Sequence, residues 1–334
     1  CRPGERPWPA SQPPAAPRPE PAGTFGTAAH SAHGPMDWLP LTLICAFSLA
    51  TTDAMTKAWL GDYSVRELAL VRLGVTGLLL TPWLPNLAEI WRQPATFWWW
   101  VSALLPLEMA AMLLYMRAIR DHPLSLTLPY LAFTPVFVIL TGHLLLGEQV
   151  SGRGGLGILL VVAGAWLLNV ERDCRRPSRV TLWTDWRAWV RPLGAILDHP
   201  GSRAMLLVAF LYSLTSVMGK GAMRHMPPET FGAFYFVLLG LAALPAFALP
   251  VPRRLVTLWR RPWAVLAVAG INAFMVFTHF LALARVEVAY MIAVKRTSLL
   301  FGILYGALWF HERGLARHLA AGGLMVAGIF LILA

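Results

Sequence analysis

Two adjacent cations, Lys295 and Arg296, fall near the middle of residues 286 to 312, VEVAYMIAVKRTSLLFGILYGALWFHE, an apolar run long enough to cross a bilayer. A spanning helix takes roughly 20 apolar residues, and one cation at mid-depth costs on the order of 2.5 to 3.5 kcal/mol on insertion scales. Two together require a partner or a water-filled cavity, and the chemistry they offer is the binding of a negative group. The ammonium is a compact point charge, whereas the guanidinium grips a carboxylate or phosphate through two hydrogen bonds. The opposing reading pairs one cation with an intramembrane carboxylate and lets the other snorkel. On a continuous helix Met291, Lys295, Ser298, Gly302 and Tyr305 share one face, at spacings of three and four, so Ser298 joins the pair as a substrate-binding candidate. Gly302 and Gly306 form a small-xxx-small pair suited to close helix packing.

Other polar residues lie in apolar runs. Glu108 is followed by Tyr115 and Arg117 in the third run, and the eighth holds Asn272 and His279. Glu108 reads either as a proton-coupling carboxylate, because a low-dielectric cavity favours its protonated form, or as a counter-ion to Lys295 or Arg117. Tyr115 and His279 are candidates to line the substrate path, although a lone intramembrane histidine also serves as a helix-helix hydrogen-bond donor. Only three lysines occur, Lys57, Lys220 and Lys295, all within or at the ends of hydrophobic runs, while the loops use arginine. Lys57 and Lys220 are therefore also substrate-binding candidates. Asp53 and Lys57 stand four apart and can pair on one face, and Arg72 can reach the interface by snorkelling.

The elements that must position these groups are membrane helices. Of 334 residues, 57% are hydrophobic and 13% charged, the profile of a multi-pass membrane protein. The net charge of +11 sits largely in loop arginines, which suits anionic headgroups better than nucleic acid. Cys1, Cys45 and Cys174 are too scattered for a disulfide framework or metal-ligand spacing. No Walker-type loop is present, so coupling to ATP hydrolysis is not expected.

Hydrophobic runs recur at roughly 38 to 60, 65 to 84, 97 to 119, 123 to 146, 152 to 170, 203 to 224, 230 to 250, 262 to 284, 287 to 310 and 314 to 334, which predicts ten spans. Residues 1–35, rich in Pro, Ala and Gly, read as a disordered extension that need not be native, with Met36 placed as a natural start. Residues 171–202 carry Trp183, Trp186 and Trp189 among arginines and read as an amphipathic interfacial linker.

The halves repeat. A shift of 164 residues lays Glu148 on Glu312, Gly142 on Gly306, Arg153 on Arg317 and Val162-Ala163-Gly164 on Val326-Ala327-Gly328 without a gap, and a shift of 163 lays Lys57 on Lys220. Five spans per copy is an odd number, so the second copy, 203–334, is inverted relative to the first, 37–170. Inverted repeats of this kind build secondary transporters with a midplane site between the halves.

The five-plus-five plan, Gly147-Glu148 and His311-Glu312 closing the fourth and ninth spans, and the Gly/Ala-rich fifth and tenth spans resemble the drug/metabolite transporter superfamily and its bacterial EamA-like members. The resemblance covers about residue 37 to 334. The Lys295-Arg296 pair further resembles the superfamily's sugar-phosphate and nucleotide-sugar transporters, where a basic pair in the ninth helix holds the substrate phosphate; here Leu131 and Ala132 stand opposite the pair in the fourth span.

The expectation is an all-α integral membrane protein of ten transmembrane helices in two inverted five-helix repeats. It would be a non-ATP secondary transporter of small organic anions or zwitterions, placed in a bacterial inner membrane. It is expected to be no enzyme and to use no cofactor or metal. Its partners would be a small-molecule substrate and membrane lipids, not nucleic acid, with homo-oligomerisation open. The rival readings are a broad exporter of amino acids or drugs and an integral-membrane enzyme on lipid-linked substrates. Loop charge would put both termini outside by the positive-inside rule, whereas the family resemblance implies cytoplasmic termini.

Overall fold

The computed structural model describes residues 37–121, 130–170, 200–309 and 315–334, and among these every regular element is helical. The expected extension at 1–35, the bulk of the linker at 171–202 and the His311-Glu312 motif lie outside the described residues. The α-helices are α1 (Trp38–Trp59), α2 (Val65–Ala69), α3 (Thr76–Leu80), α4 (Leu87–Trp91), α5 (Ala95–Asp121), α6 (Thr134–Leu146), α7 (Gly152–Val170), α8 (Pro200–Ala222), α9 (Pro228–Ala243), α10 (Arg253–Leu258), α11 (Pro262–Leu283), α12 (Val288–Lys295), α13 (Ser298–Trp309) and α14 (Leu315–Leu333). Five described helical stretches are long and apolar enough to cross a membrane: Trp38–Trp59, Ala95–Ala118, Pro200–His225, Pro228–Ala248 and Pro262–Leu283. The remaining apolar helices are shorter or interrupted.

The interruptions obey the repeat. In the fourth hydrophobic run the helix breaks at Ala132-Phe133 and restarts at Thr134; in the ninth it breaks at Arg296-Thr297 and restarts at Ser298. Three backbone bonds recur at the 164-residue shift: Phe133 N to Tyr130 O and Thr297 N to Val294 O, Val136 N to Phe133 O and Leu300 N to Thr297 O, Phe137 N to Phe133 O and Phe301 N to Thr297 O. Pro135 explains the first break, since its ring clashes with the carbonyl four residues earlier. The second has no proline, and it overturns the continuous ninth helix on which Lys295, Ser298 and Gly302 would share a face.

Close approaches follow the same symmetry. A Cβ on Gly157 would lie 2.6 Å from the Gly328 carbonyl, and one on Gly164 would lie 2.7 Å from that of Ala321. The 164-residue shift carries one contact into the other. The pairing 157 with 328 and 164 with 321 makes α7 and α14 antiparallel, so the two-fold axis exchanging them runs perpendicular to both. Gly77, packed on the Phe236 carbonyl, and Gly240, whose Cβ would lie 3.2 Å from the Leu73 carbonyl, obey the 163-residue shift in the same way. Small residues let backbones approach in this manner where lipid supplies no hydrophobic drive. Gly302 does not take part, since nothing lies within 4 Å of where its Cβ would be. The halves interleave: α1 packs on α11 and α8 on α5, which is the same contact under the repeat.

Between α2 and α3 the backbone widens into a π-turn, Leu70–Val75. Thr76 N bonds the carbonyls of Leu73 and Val71, so the Arg72 carbonyl loses the partner an α-helix would give it. Such bulges need outside groups to satisfy the freed oxygen.

Candidate functional site

The broken ninth run places Lys295 at the C-terminus of α12 and Arg296 in the turn that follows. Arg296 N and Thr297 N bond three residues back instead of four. Irregular backbone is tolerated at membrane depth only where protein covers it or it lines a cavity. Both cations line a cavity of about 140 Å³. At about 30 Å³ per water it would hold roughly five, which is room for a small polar group.

Its charged lining comprises Arg72, Glu108, Lys295 and Arg296, with His279 and Tyr115 beside them. Five of the residues singled out from the sequence, Lys295, Arg296, Glu108, Tyr115 and His279, are thus brought together from three separate hydrophobic runs. The Lys295 ammonium donates to His279 Nδ1 at 3.3 Å and lies 3.8 Å from the Met275 sulfur. The Glu108 carboxyl lines the same cavity as Thr215 and Lys295. Arg296 is only 6% exposed, and its Nε has no hydrogen-bond partner. The Tyr235 hydroxyl, buried and also lining the cavity, has none either. Buried polar atoms are satisfied in the large majority of cases, so unpaired donors facing one cavity mark a place for an acceptor-bearing ligand.

Three other candidates sit elsewhere. Lys220 is half-buried near the end of α8, with its ammonium 2.7 Å from Glu148 Oε1 and donating to the Val286 carbonyl at 2.6 Å. Lys57 is exposed near the end of α1. Ser298 is buried at the start of α13 and is not part of the lining.

Sequence reasoning missed Arg72 as a cavity residue. It does not snorkel: it is 3% exposed, ion-paired to Asp53, and its Nη1 lies 3.4 Å from Asn272 Oδ1. Asp53 also accepts from the Tyr115 hydroxyl at 3.3 Å. The Asn272 amide donates to the Arg72 carbonyl at 3.1 Å and to Thr76 Oγ1 at 3.1 Å, filling the vacancy left by the π-turn. An acid at 53 and an arginine at 72, each inside an apolar run, were signals of this pair. Tyr212 and Tyr235 complete an aromatic wall that carried no sequence signal.

The lining therefore holds three cations and one acid, and Asp53 neutralises one of the cations. The model of the EamA-like transporter family matches this sequence twice, over residues 36–170 and 199–334. The chain belongs to the EamA-like transporter family. Within this family, part of the drug/metabolite transporter superfamily, it is a multi-pass membrane protein. A probable 4-amino-4-deoxy-L-arabinose-phosphoundecaprenol flippase subunit ArnE from Enterobacter sp. (strain 638) is 32% identical over 72 residues, 22% of this chain and 67% of that one. Its counterpart from Yersinia pseudotuberculosis serotype O:1b (strain IP 31758) is 33% identical over 88 residues, 25% of this chain and 76% of that one. A solved protein crystal structure superposes with a TM-score of 0.61 at 18% identity, covering 87% of this chain and 95% of that one. At that identity the likeness speaks for the fold alone.

Proposed function

We propose that this transporter moves a small organic anion or zwitterion by alternating access, with Lys295 and Arg296 holding the negative group. The observation that carries the reading is the unpaired Arg296 Nε beside Lys295 in a cavity whose one lining acid, Glu108, faces two cations that Asp53 does not pair. Leaving such a charge buried without a counter-ion is costly, so an anionic ligand is the complement this lining suits. Tyr115 and His279 line the path. Glu108 is the coupling carboxylate, able to exchange a proton or accept a substrate ammonium. Lys220, Lys57 and Ser298 act outside the binding step, in keeping with their positions away from the cavity.

The transport framework is ten spans in two inverted repeats, 37–170 and 203–334, joined by an interfacial linker at 171–202. The repeat-equivalent helix breaks and the antiparallel, two-fold-related glycine contacts support it, because an axis perpendicular to spanning helices lies in the membrane plane. A bacterial inner membrane fits the organisms of the relatives. A second reading takes its cue from those relatives: their named cargo carries both an amino group and a phosphate, which the Glu108 and Lys295-Arg296 pairing would also suit.

Counterflow in proteoliposomes tests the proposal. Carboxylated or phosphorylated solutes should exchange in the parent protein and fail to exchange in Lys295→Ala at equal reconstitution. Exchange of cations or neutral solutes, undiminished in that variant, would replace it with the broad exporter.

A further inference from the structure

Beyond the substrate site, the Glu148 carboxylate holds together parts of both repeats at one end of the helix bundle. It follows Gly147, whose left-handed φ of 70° ends α6. Gly147 N then bonds His143 O at 3.1 Å, the closure of a left-handed helix cap, and Glu148 N bonds Gly142 O at 3.2 Å. Glu148 Oε1 meets the Lys220 ammonium at 2.7 Å, and Oε2 accepts from Val288 N, the first amide of α12, at 2.9 Å. Lys220 in turn donates to Val286 O at 2.6 Å. The two side chains are only 12% and 22% exposed, so water screens this pair far less than a surface one. Beside it Ser151 N donates to the Tyr290 hydroxyl at 3.0 Å.

At the opposite end of the bundle the buried Tyr63 hydroxyl donates to the Thr257 carbonyl at 3.1 Å and Arg261 donates to the Trp59 carbonyl, beside exposed ion pairs. The 22 residues of α11 separate Arg261 from the Glu148 cluster by about 33 Å at 1.5 Å per residue. There Asp62 lies 3.3 Å from Arg261 and 3.8 Å from Arg260, with all three side chains at least 40% exposed. Exposed pairs of this kind contribute little.

We infer that Glu148 is a positioning residue for transport: a latch that keeps this end closed and, through α12, sets the placement of the substrate cations. The helix it grips is eight residues long and ends on Lys295. Glu148 sits at the N-terminus, where an anion complements the helix dipole, and the substrate cations sit at the other end. Releasing the carboxylate from Val288 and Lys220 removes the charged tie between α12 and the first repeat and leaves the neutral Ser151–Tyr290 bond and side-chain packing, so opening this end and moving Lys295 and Arg296 become coupled. The inference rests on the transporter reading but not on the charge of the substrate.

The test is side-specific labelling of a cavity thiol. Ser216 lines the cavity, so Ser216→Cys is placed in a chain whose Cys1, Cys45 and Cys174 are replaced by Ala, and reconstituted vesicles receive an impermeant maleimide on either face. Glu148→Gln, which keeps an acceptor for Val288 N but loses the ion pair, should raise labelling from one face several-fold. Lys220→Met should do the same from that face, and the double variant should label no faster than either single. Unchanged labelling in both singles, or increments that multiply in the double, would overturn the latch. The readout needs no substrate, so a failed anion assay with intact latch behaviour removes only the proposed substrate class.

Discussion

The Asn272 amide donates to the backbone carbonyl of Arg72, joining the eighth hydrophobic run to the second across the two repeats. The carbonyl is free to accept because the π-turn at Leu70–Val75 diverts its usual partner, Thr76 N, to other oxygens. One amide therefore satisfies a backbone oxygen, a threonine hydroxyl and a guanidinium proton together.

Asn272→Ala should destabilise the protein by about 1 to 3 kcal/mol, the cost of leaving buried polar groups unpaired. Asn272→Leu, of similar size, should do no better. A thermal melt in detergent reads this as a lowered midpoint, and a midpoint equal to that of the parent would show that the π-turn is satisfied by other means.

Asp53→Asn removes the partner of an arginine only 3% exposed. Breaking a fully buried pair costs about 3 to 5 kcal/mol; because the Asp53 side chain is 33% exposed, a loss on the order of 2 kcal/mol is expected after screening. Asp53→Asn combined with Arg72→Gln should recover part of that loss, and a double-mutant cycle gives the coupling. Strict additivity would mean that the pair contributes nothing.

The glycine contacts make a steric prediction. A methyl at Gly157 or Gly328 would stand 2.6 Å from the other's carbonyl oxygen, forcing α7 and α14 apart. Gly157→Ala and Gly328→Ala should each cost about 1 to 3 kcal/mol, as overpacking does, whereas Gly302→Ala should be close to neutral because its surroundings are open. Melting midpoints of the three variants, compared side by side, decide it.

How much of this was legible in the sequence depends on what each residue must do. Lys295, Arg296 and Glu108 announced themselves because an ionisable group in an apolar run has few reasons to be there. The repeat was legible because Glu148, Gly164 and their counterparts match at one shift. Arg72 carried the same signal as Lys295, yet snorkelling is equally open to a long side chain two turns inside a span; only the fold brings Asp53 to it. The break at Arg296-Thr297 has no proline or glycine to mark it, although Pro135 marks its counterpart in the fourth run. Ser298, singled out by periodicity across the break, is buried but is not part of the lining. Tyr212 and Tyr235 resemble any other aromatic in a membrane helix, so their place in the lining is knowable only from packing.

Arg296 should not tolerate lysine. Its guanidinium offers two parallel donors that an ammonium cannot reproduce, so Arg296→Lys should weaken anion binding about tenfold or more, at roughly 1.4 kcal/mol per tenfold, while Lys295→Arg should lose less. Titration of each purified variant with the best anionic solute supplies the comparison, and equal affinity of Arg296→Lys and the parent would remove the two-pronged grip.

In the proposed function, Lys295 and Arg296 bind the negative group of the substrate. A thermal-shift screen of the purified protein against carboxylates, sugar phosphates, nucleotide sugars, amino acids and cationic drugs tests it most directly, because a ligand that binds only the folded state raises the melting temperature by mass action. Stabilisation by carboxylated or phosphorylated compounds, abolished in both Lys295→Ala and Arg296→Ala, is the predicted result. Stabilisation only by cations or uncharged solutes, retained in those variants, would contradict it.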